Sequence, residues 1–185
     1  MDKNILEIKT VQASAFRILV EALKEILTDA NFECDETGIK MIAMDSSRTV
    51  LVHLKLHADK FESYMCKEKR VLGISMINFF RIIKTMNNND TLTLFLEKEK
   101  DSVLGIRIEN SEKNTTSTFY LNLMDLHVDN IQIPSVEFES VITMPSTDFQ
   151  KTIRDMHNYA DLIDIKSVED HLIFSCNGDF CSQET

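Results

Sequence analysis

The sequence predicts an α+β protein made of a repeated strand-helix-strand unit. Three observations point there. Short apolar runs bounded by charged or Asn-rich turns dominate the chain. An apolar stripe of helical period recurs in only three segments. The order strand, helix, strand, strand occurs twice. Hydrophobic residues make up 43%, with only four Gly and two Pro, which suits a packed core and argues against disorder.

Ile5 to Val11 reads as a strand. Ser14 to Thr28 reads as a helix, because Phe16, Leu19, Val20, Leu23, Ile26 and Leu27 form one stripe, with Arg17, Glu21, Lys24 and Glu25 on the other face. Strands are expected at Asn31 to Cys34, Ile39 to Met44 and Thr49 to Leu56. A second helix is expected over Met76 to Met86, with Phe79, Phe80 and Ile83 apolar and Arg81 and Lys84 polar. Thr91 to Leu96, Val103 to Glu109 and Thr118 to Leu123 complete the first set of strands. The charged run at 97–101 and the polar run at 110–117 are read as hairpin turns.

After Leu123 the periodicity lapses until Pro134, and we read residues 124–136 as an extended connector between domains at 1–123 and 137–185. The first pattern then restarts. Phe138 to Met144 is expected as a strand, Ser146-Thr147-Asp148 opens a helix containing Phe149, Ile153 and Met156, and strands follow at Leu162 to Lys166 and Leu172 to Cys176. A shift of 133 lays Phe16 on Phe149, Val20 on Ile153, Leu23 on Met156, Met41 on Phe174 and Ala43 on Cys176 without a gap. The second copy stops at Thr185, before a second helix. The expectation is therefore one full domain followed by the front part of another, from a longer functional protein.

Net charge is −10, so a simple binder of nucleic acid or anionic membrane is disfavoured unless the cations are segregated on one face. Arg17 with Lys24, Arg81 with Lys84, and Lys151 with Arg154 lie three or seven apart on the three helices, which places each pair on one helix face. No apolar run approaches the ~20 residues of a membrane helix, and the N-terminal run is polar, so an intracellular protein with Cys34, Cys66, Cys176 and Cys181 as free thiols is expected. Cys176 and Cys181 lack a zinc-type spacing, so no metal is expected. His53 and His57 share a strand face, which favours cross-strand packing over a metal pair. Asn114-Thr115-Thr116 reads as a turn. An enzyme is disfavoured. No Gly-x-Ser-x-Gly elbow accompanies Asp45-Ser46-Ser47, no glycine loop could cradle a phosphate, and Asp125 and Asp129 do not lie on a helix.

Gly38 to Phe61, two apolar strands around the turn Asp45-Ser46-Ser47, is the most distinctive stretch. With Leu123-Met124-Asp125-Leu126, a connector ending Ile133-Pro134, and Met144-Pro145-Ser146, it resembles the sliding DNA clamps of the proliferating cell nuclear antigen family. The resemblance spans essentially the whole chain. It implies the DNA-clamp fold, with helices on one face of antiparallel sheets, and a non-enzymatic processivity factor that encircles duplex DNA without sequence preference. The implied partners are DNA polymerase, a clamp loader and other peptide-motif proteins. The implied assembly is a homotrimer of the full-length protein, in the nucleus or at a viral replication site, with no cofactor and no membrane. A specialised paralogue, either a checkpoint clamp subunit or a monomeric viral processivity factor, is the alternative.

Carried to this chain, the resemblance makes Arg17, Lys24, Arg81, Lys84, Lys151 and Arg154 the DNA-facing cations. It assigns Met44, Arg48, Thr49, Leu51, Ile131, Ile133 and Pro134 to a partner-peptide pocket. It assigns Thr118, Phe119, Tyr120, Leu121, Asn122 and Leu123 to a subunit interface. The chain departs from the family at Arg48, where histidine is common, and at Thr49, where valine is common, so a more cationic and less apolar rim is expected. Lys67 stands at a usually acidic position in Met65-Cys66-Lys67-Glu68. Glu169 stands where typical members carry a modified lysine, with Lys166 nearby.

Overall fold

The structure, a computed structural model, describes residues 3–127, 131, 137–138 and 140–185. The chain forms two compact units, Met1–Gln132 and Ile133–Thr185.

In the first unit, β1 (Asn4–Thr10) leads into α1 (Ala13–Ile26) and the hairpin of β2 (Asp29–Asp35) and β3 (Gly38–Met44). β4 (Leu51–His57) and a single 3-10 turn at Ala58–Lys60 follow, then β5 (Ser63–Cys66) and β6 (Arg70–Ser75). α2 (Met76–Ile83), β7 (Thr91–Glu97), β8 (Lys100–Asn110) and β9 (Thr115–Asn122) complete the unit. All pairings are antiparallel. One sheet has the order β5-β1-β7-β8-β9 and the other β4-β3-β2-β6.

Both helices bury an apolar stripe, although Ile26, expected in that of α1, is 42% exposed at the helix end. Val20 and Leu23 of α1 and Met76, Phe79 and Ile83 of α2 are buried, in one core with Leu6 and Ile8 of β1, Phe32 of β2, Met41 of β3 and Leu92, Leu94 and Leu96 of β7. Phe16 meets Phe79 edge-on, ring centroids 6.1 Å apart, which locks α1 beside α2. The helix expected to reach Met86 ends at Ile83; the amide of Met86 turns back to the Ile83 carbonyl (3.1 Å) as the chain enters the loop before β7.

That loop is tied down by a buried acid. Asp90 accepts from the Asn87 amide (2.8 Å) and from the Asn110 side chain (2.6 Å), and this network joins the loop to the end of β8.

Two strands of the first unit lacked a readable sequence signal, β5 and β6. β5 is four residues at a sheet edge, paired only with β1. Its Tyr64 hydroxyl reaches the carbonyls of Asp35 and Gly38, both at 2.8 Å, and so bridges from one sheet to the β2–β3 turn of the other. Burial pushes the Tyr64 phenol and the Cys34 thiol up, the latter to about 12.

On the outer side of the five-stranded sheet, Phe95, Gly105 and Tyr120 stand abreast on β7, β8 and β9. The absent side chain of Gly105 leaves room for the Phe95 ring, which meets Tyr120 edge-on at 6.3 Å and lies under the Arg107 guanidinium at 5.2 Å.

The second unit contains α3 (Ser146–His157), β10 (Ile163–Val168), β11 (His171–Asn177) and β12 (Ser182–Glu184), with sheet order β10-β11-β12. The repeat extends to strand register. Glu33–Lys40, Cys34–Ile39 and Asp35–Gly38 are paired in the first unit. A shift of 133 lays them on Lys166–Ile173, Ser167–Leu172 and Val168–His171, which are the pairs of the second. Met156, Phe174 and Cys176 form its buried core.

The strand expected over Phe138 to Met144 is not found at residues 138 and 140–144. The physical reason is the lack of partners. Its counterpart β1 is hydrogen-bonded on both sides, by β5 and β7, whereas the described residues of the second unit supply no strand at either position. Phe138 and Val141 accordingly stay 75% and 85% exposed.

Candidate nucleic-acid interface and partner cleft

The basic residues of α1 and α2 have different surroundings. Arg17 is half-buried and donates from Nη1 to the Met86 carbonyl (2.6 Å). Lys24 lies over the Phe80 ring, 4.9 Å from its centroid, and pairs with Glu25. Both cations thus reach toward α2 and stitch the helix pair together. Arg81 on α2 and Lys84, the residue that caps its C-terminal end, are exposed, and among the described residues neither has an ion-pair partner. In the second unit, Lys151 and Arg154 on α3 are likewise exposed. Charges held on short helices over a rigid sheet can meet phosphates without reading bases.

The turn between β3 and β4 is built around one carboxylate. Asp45 accepts from the Ser47 hydroxyl and from the amides of Thr49 (2.8 Å), Val50 (2.8 Å) and Ser47 (3.3 Å). Its own amide donates to the Val50 carbonyl (3.0 Å). These donors, the Ser47 hydroxyl first and the Val50 amide next, hold the Asp45 carboxyl down at about 2. A lowered carboxyl stabilises the fold wherever it is ionised. That contribution is therefore whole above the ordinary carboxylate pKa of about 4 and is lost as pH falls toward the folded value. Asp45→Ala is expected to lower the melting temperature at pH 7 and to speed amide exchange at Thr49 and Val50. The Asp45 side-chain resonance of the unsubstituted chain is expected to titrate well below pH 4. A midpoint near 4 means that the turn is not held this way.

The same turn fixes Arg48 in the left-handed region, φ 59°, with its side chain exposed at the tip. Pairing of Met44 with Leu51 places both apolar side chains on the outer sheet face, 41% and 38% exposed.

Beside this hairpin lies a cleft of about 390 Å³, walled by β2, β3, His53 of β4 and the chain after β9. Met44 and Ile131, both expected at a pocket, line it together with Asn31, Ile42, His53, Leu126 and His127. Arg48, Thr49 and Leu51 adjoin it through the turn, outside its lining. Ile133 and Pro134 lie outside the described residues. Asn31 and His127 had no signal in the sequence, and Leu126 entered only as part of the Leu123–Leu126 run. Asn31 donates from its amide to the carbonyls of His127 (3.3 Å) and Leu126 (3.4 Å), which holds the departing chain against β2.

A second tether is Met124, whose amide donates to the Gly73 carbonyl (2.8 Å). A Cβ on Gly73 would lie 2.1 Å from the Met124 carbonyl oxygen, so only glycine admits this approach. Gly73→Ala is expected to keep the β2–β6 ladder but release Met124, seen as faster amide exchange there. Affinity for a peptide bound in the cleft is then expected to fall about tenfold, the loss of one or two net hydrogen bonds.

β9 is one of the two edges of the five-stranded sheet, opposite β5. Of the residues expected at a subunit interface, Thr118, Phe119, Tyr120 and Asn122 are exposed, Leu121 is buried, and Leu123 follows the strand with its amide on the Ser102 carbonyl (2.9 Å). An exposed edge with aromatic side chains is a surface ready to pair with another strand.

Comparison with known proteins places this architecture. The family model for the N-terminal domain of proliferating cell nuclear antigen matches residues 5–132, and that for its C-terminal domain matches residues 132–185. The chain is 35% identical over 175 residues to the proliferating cell nuclear antigen of Chaetomium thermophilum, covering 95% of this chain and 67% of that protein. It is 33% identical over 189 residues to the probable DNA polymerase sliding clamp 1 of Paramecium bursaria Chlorella virus 1, covering 100% and 72%. It is 32% identical over 178 residues to the proliferating cell nuclear antigen of Saccharomyces cerevisiae, covering 96% and 69%. A fold of repeated, helix-backed antiparallel sheets, matched by both domain models and by relatives along nearly its whole length, belongs to the proliferating cell nuclear antigen family of DNA sliding clamps.

Proposed function

We propose that this clamp encircles duplex DNA as a homotrimeric ring and tethers DNA polymerase to its template as a non-catalytic scaffold. The observation that carries the reading is the exposed pair Arg81 and Lys84, without ion-pair partners among the described residues, on the helical face of a chain whose net charge is −10. Exposed cations on that face attract phosphate even though the chain as a whole is acidic. Arg17, Lys24, Lys151 and Arg154 complete the DNA-facing set, with Arg17 and Lys24 also holding α1 to α2. Loose contacts suit the task, because a closed ring stays on DNA by topology and must slide.

The cleft beside Met44 takes short peptide motifs of polymerase, clamp loader and repair factors, and Arg48 gives its rim a positive charge. Subunits join through the β9 edge. The protein acts where DNA is copied, in the nucleus or at a viral replication site.

The test is synthesis on a primed circular template by a replicative polymerase, with and without a clamp loader. Long products that require both loader and clamp are expected. Equal product lengths with and without the clamp would sink the reading. Activity without a loader, from a protein that light scattering shows to be a monomer, would point to a loader-independent processivity factor instead.

A further inference from the structure

The two copies of the repeat differ at one place that bears on the cleft. In the second unit the hairpin of β10 and β11 is zipped for six pairs, from Val168–His171 to Ile163–Cys176. In the first unit the equivalent β2–β3 hairpin has the same register but stops after three pairs, at Glu33–Lys40. Both strands continue, β2 back to Asp29 and β3 on to Met44. The pair Asn31–Ile42, whose counterpart Asp164–Ser175 is made in the second unit, is not made here. The sheet therefore has an open seam between β2 and β3, and residues of both lips line the cleft of about 390 Å³.

The direction of the unpaired backbone groups follows from neighbouring bonds. Gly73 accepts from the Met124 amide, so its carbonyl points away from β2. Asn31 stands opposite Gly73. In an antiparallel ladder, opposed residues point both toward or both away from each other. Asn31 therefore turns its N–H and C=O away from β6, into the seam. On the other lip, the Asp45 amide bonds the Val50 carbonyl of the adjoining turn. By alternation along β3, Ala43 bonds β4, while Ile42 and Met44 turn their backbone groups into the seam. Backbone donors and acceptors facing a cavity need partners. The space far exceeds the ~30 Å³ share of one water.

We infer that the open β2–β3 seam of the first unit receives an extended segment of a partner peptide, which adds as a strand along Ile42 and Met44. This rests on the partner-peptide reading of the cleft and extends it from side-chain anchoring to main-chain pairing. Backbone groups two residues apart on one lip, with the apolar Ile42 and Met44 side chains 38% and 41% exposed, are what strand addition requires. A lipid or a nucleotide offers no matching alternation of amide and carbonyl.

The probes are synthetic peptides carrying one helical turn with aliphatic and aromatic anchors. One has no tail, and others add a five-residue Val-Thr tail at either end. Matched twins have alternate tail amides N-methylated. Binding is measured by calorimetry, and amide exchange at Ile42 and Met44 by NMR. One tail position is expected to raise affinity about tenfold, the worth of one or two net hydrogen bonds. The same tail is expected to slow exchange at Ile42, and its methylated twin to bind like the tailless peptide. If no peptide binds, the partner-peptide reading itself fails, and this inference with it. If the tailless peptide binds but neither tail adds affinity or protects Ile42, the seam inference alone is overturned. Slow exchange at Ile42 in the free protein also overturns it, because the chain would then fill its own seam.

Discussion

Gly38→Ala is expected to destabilise the first unit by about 3–5 kcal/mol, as the sum of backbone strain and a steric clash. Gly38 has φ 138°, a region that L side chains rarely adopt. A Cβ there would stand 2.0 Å from the Leu56 carbonyl oxygen and 2.9 Å from the Ala58 nitrogen. Both obstacles are backbone, so no rotamer change relieves them. The position is also a junction. Gly38 pairs with Asp35 and with His57, its carbonyl lies 2.8 Å from the Tyr64 hydroxyl, and the adjacent Thr37 carbonyl accepts from the Ala58 amide (2.9 Å). Strain here loosens β2, β3, β4 and the tie to β5 together. Denaturant titration of the purified chain measures the effect. A loss below about 1 kcal/mol, the range of ordinary surface changes, would show that the turn rearranges freely.

The second copy of the repeat is an internal control for that claim. The position equivalent to Gly38 is His171, and there the chain turns through Glu169 in the left-handed region, φ 51°. One register is thus reached by two turn conformations, only one of which demands glycine. This also shows what the sequence could reveal. The apolar stripe of α1 and the alternation in β3, β4 and β7 were legible because burial on one face imposes a period. β5 carried too few residues to show one, and β6 was hidden in the polar run before it. The expected strand at Phe138 to Met144 has the right residue types but no neighbour to pair with among the described residues. Strand formation is decided by partners, which a local pattern does not contain.

The site was legible to the same extent. Met44 and the basic residues could be placed from spacing and resemblance. Three features could not. Arg17 bonds the Met86 carbonyl. Asn31 holds the carbonyls of Leu126 and His127. The β2–β3 ladder stops at Glu33–Lys40. Each joins segments that are distant in sequence or depends on a hydrogen bond that is missing, and neither leaves a periodic trace.

The double substitution Arg81→Glu and Lys84→Glu is expected to cut clamp loading and polymerase stimulation by at least about tenfold near physiological salt, because phosphate attraction is replaced by repulsion. The choice of these two follows from the geometry. Arg17→Glu would also strip the bond to the Met86 carbonyl, and Lys24→Glu the packing over Phe80, so a loss of activity there would mix folding with DNA contact. Arg81 and Lys84 are exposed and without ion-pair partners among the described residues, so the melting temperature is expected to stay nearly unchanged, as for surface substitutions within about 0.5 kcal/mol. The salt dependence provides a second readout. Each phosphate contact adds roughly 0.9 to the slope of log affinity against log salt, so the variant should bind more weakly and with a shallower slope. Peptide binding in the cleft should persist, because the cleft is walled by β2, β3, His53 of β4 and the chain after β9, and α2 contributes nothing to its lining. Unchanged loading and an unchanged slope in a folded variant would remove α2 from the DNA-facing wall and leave Lys151 and Arg154 of α3 as the cations to test next.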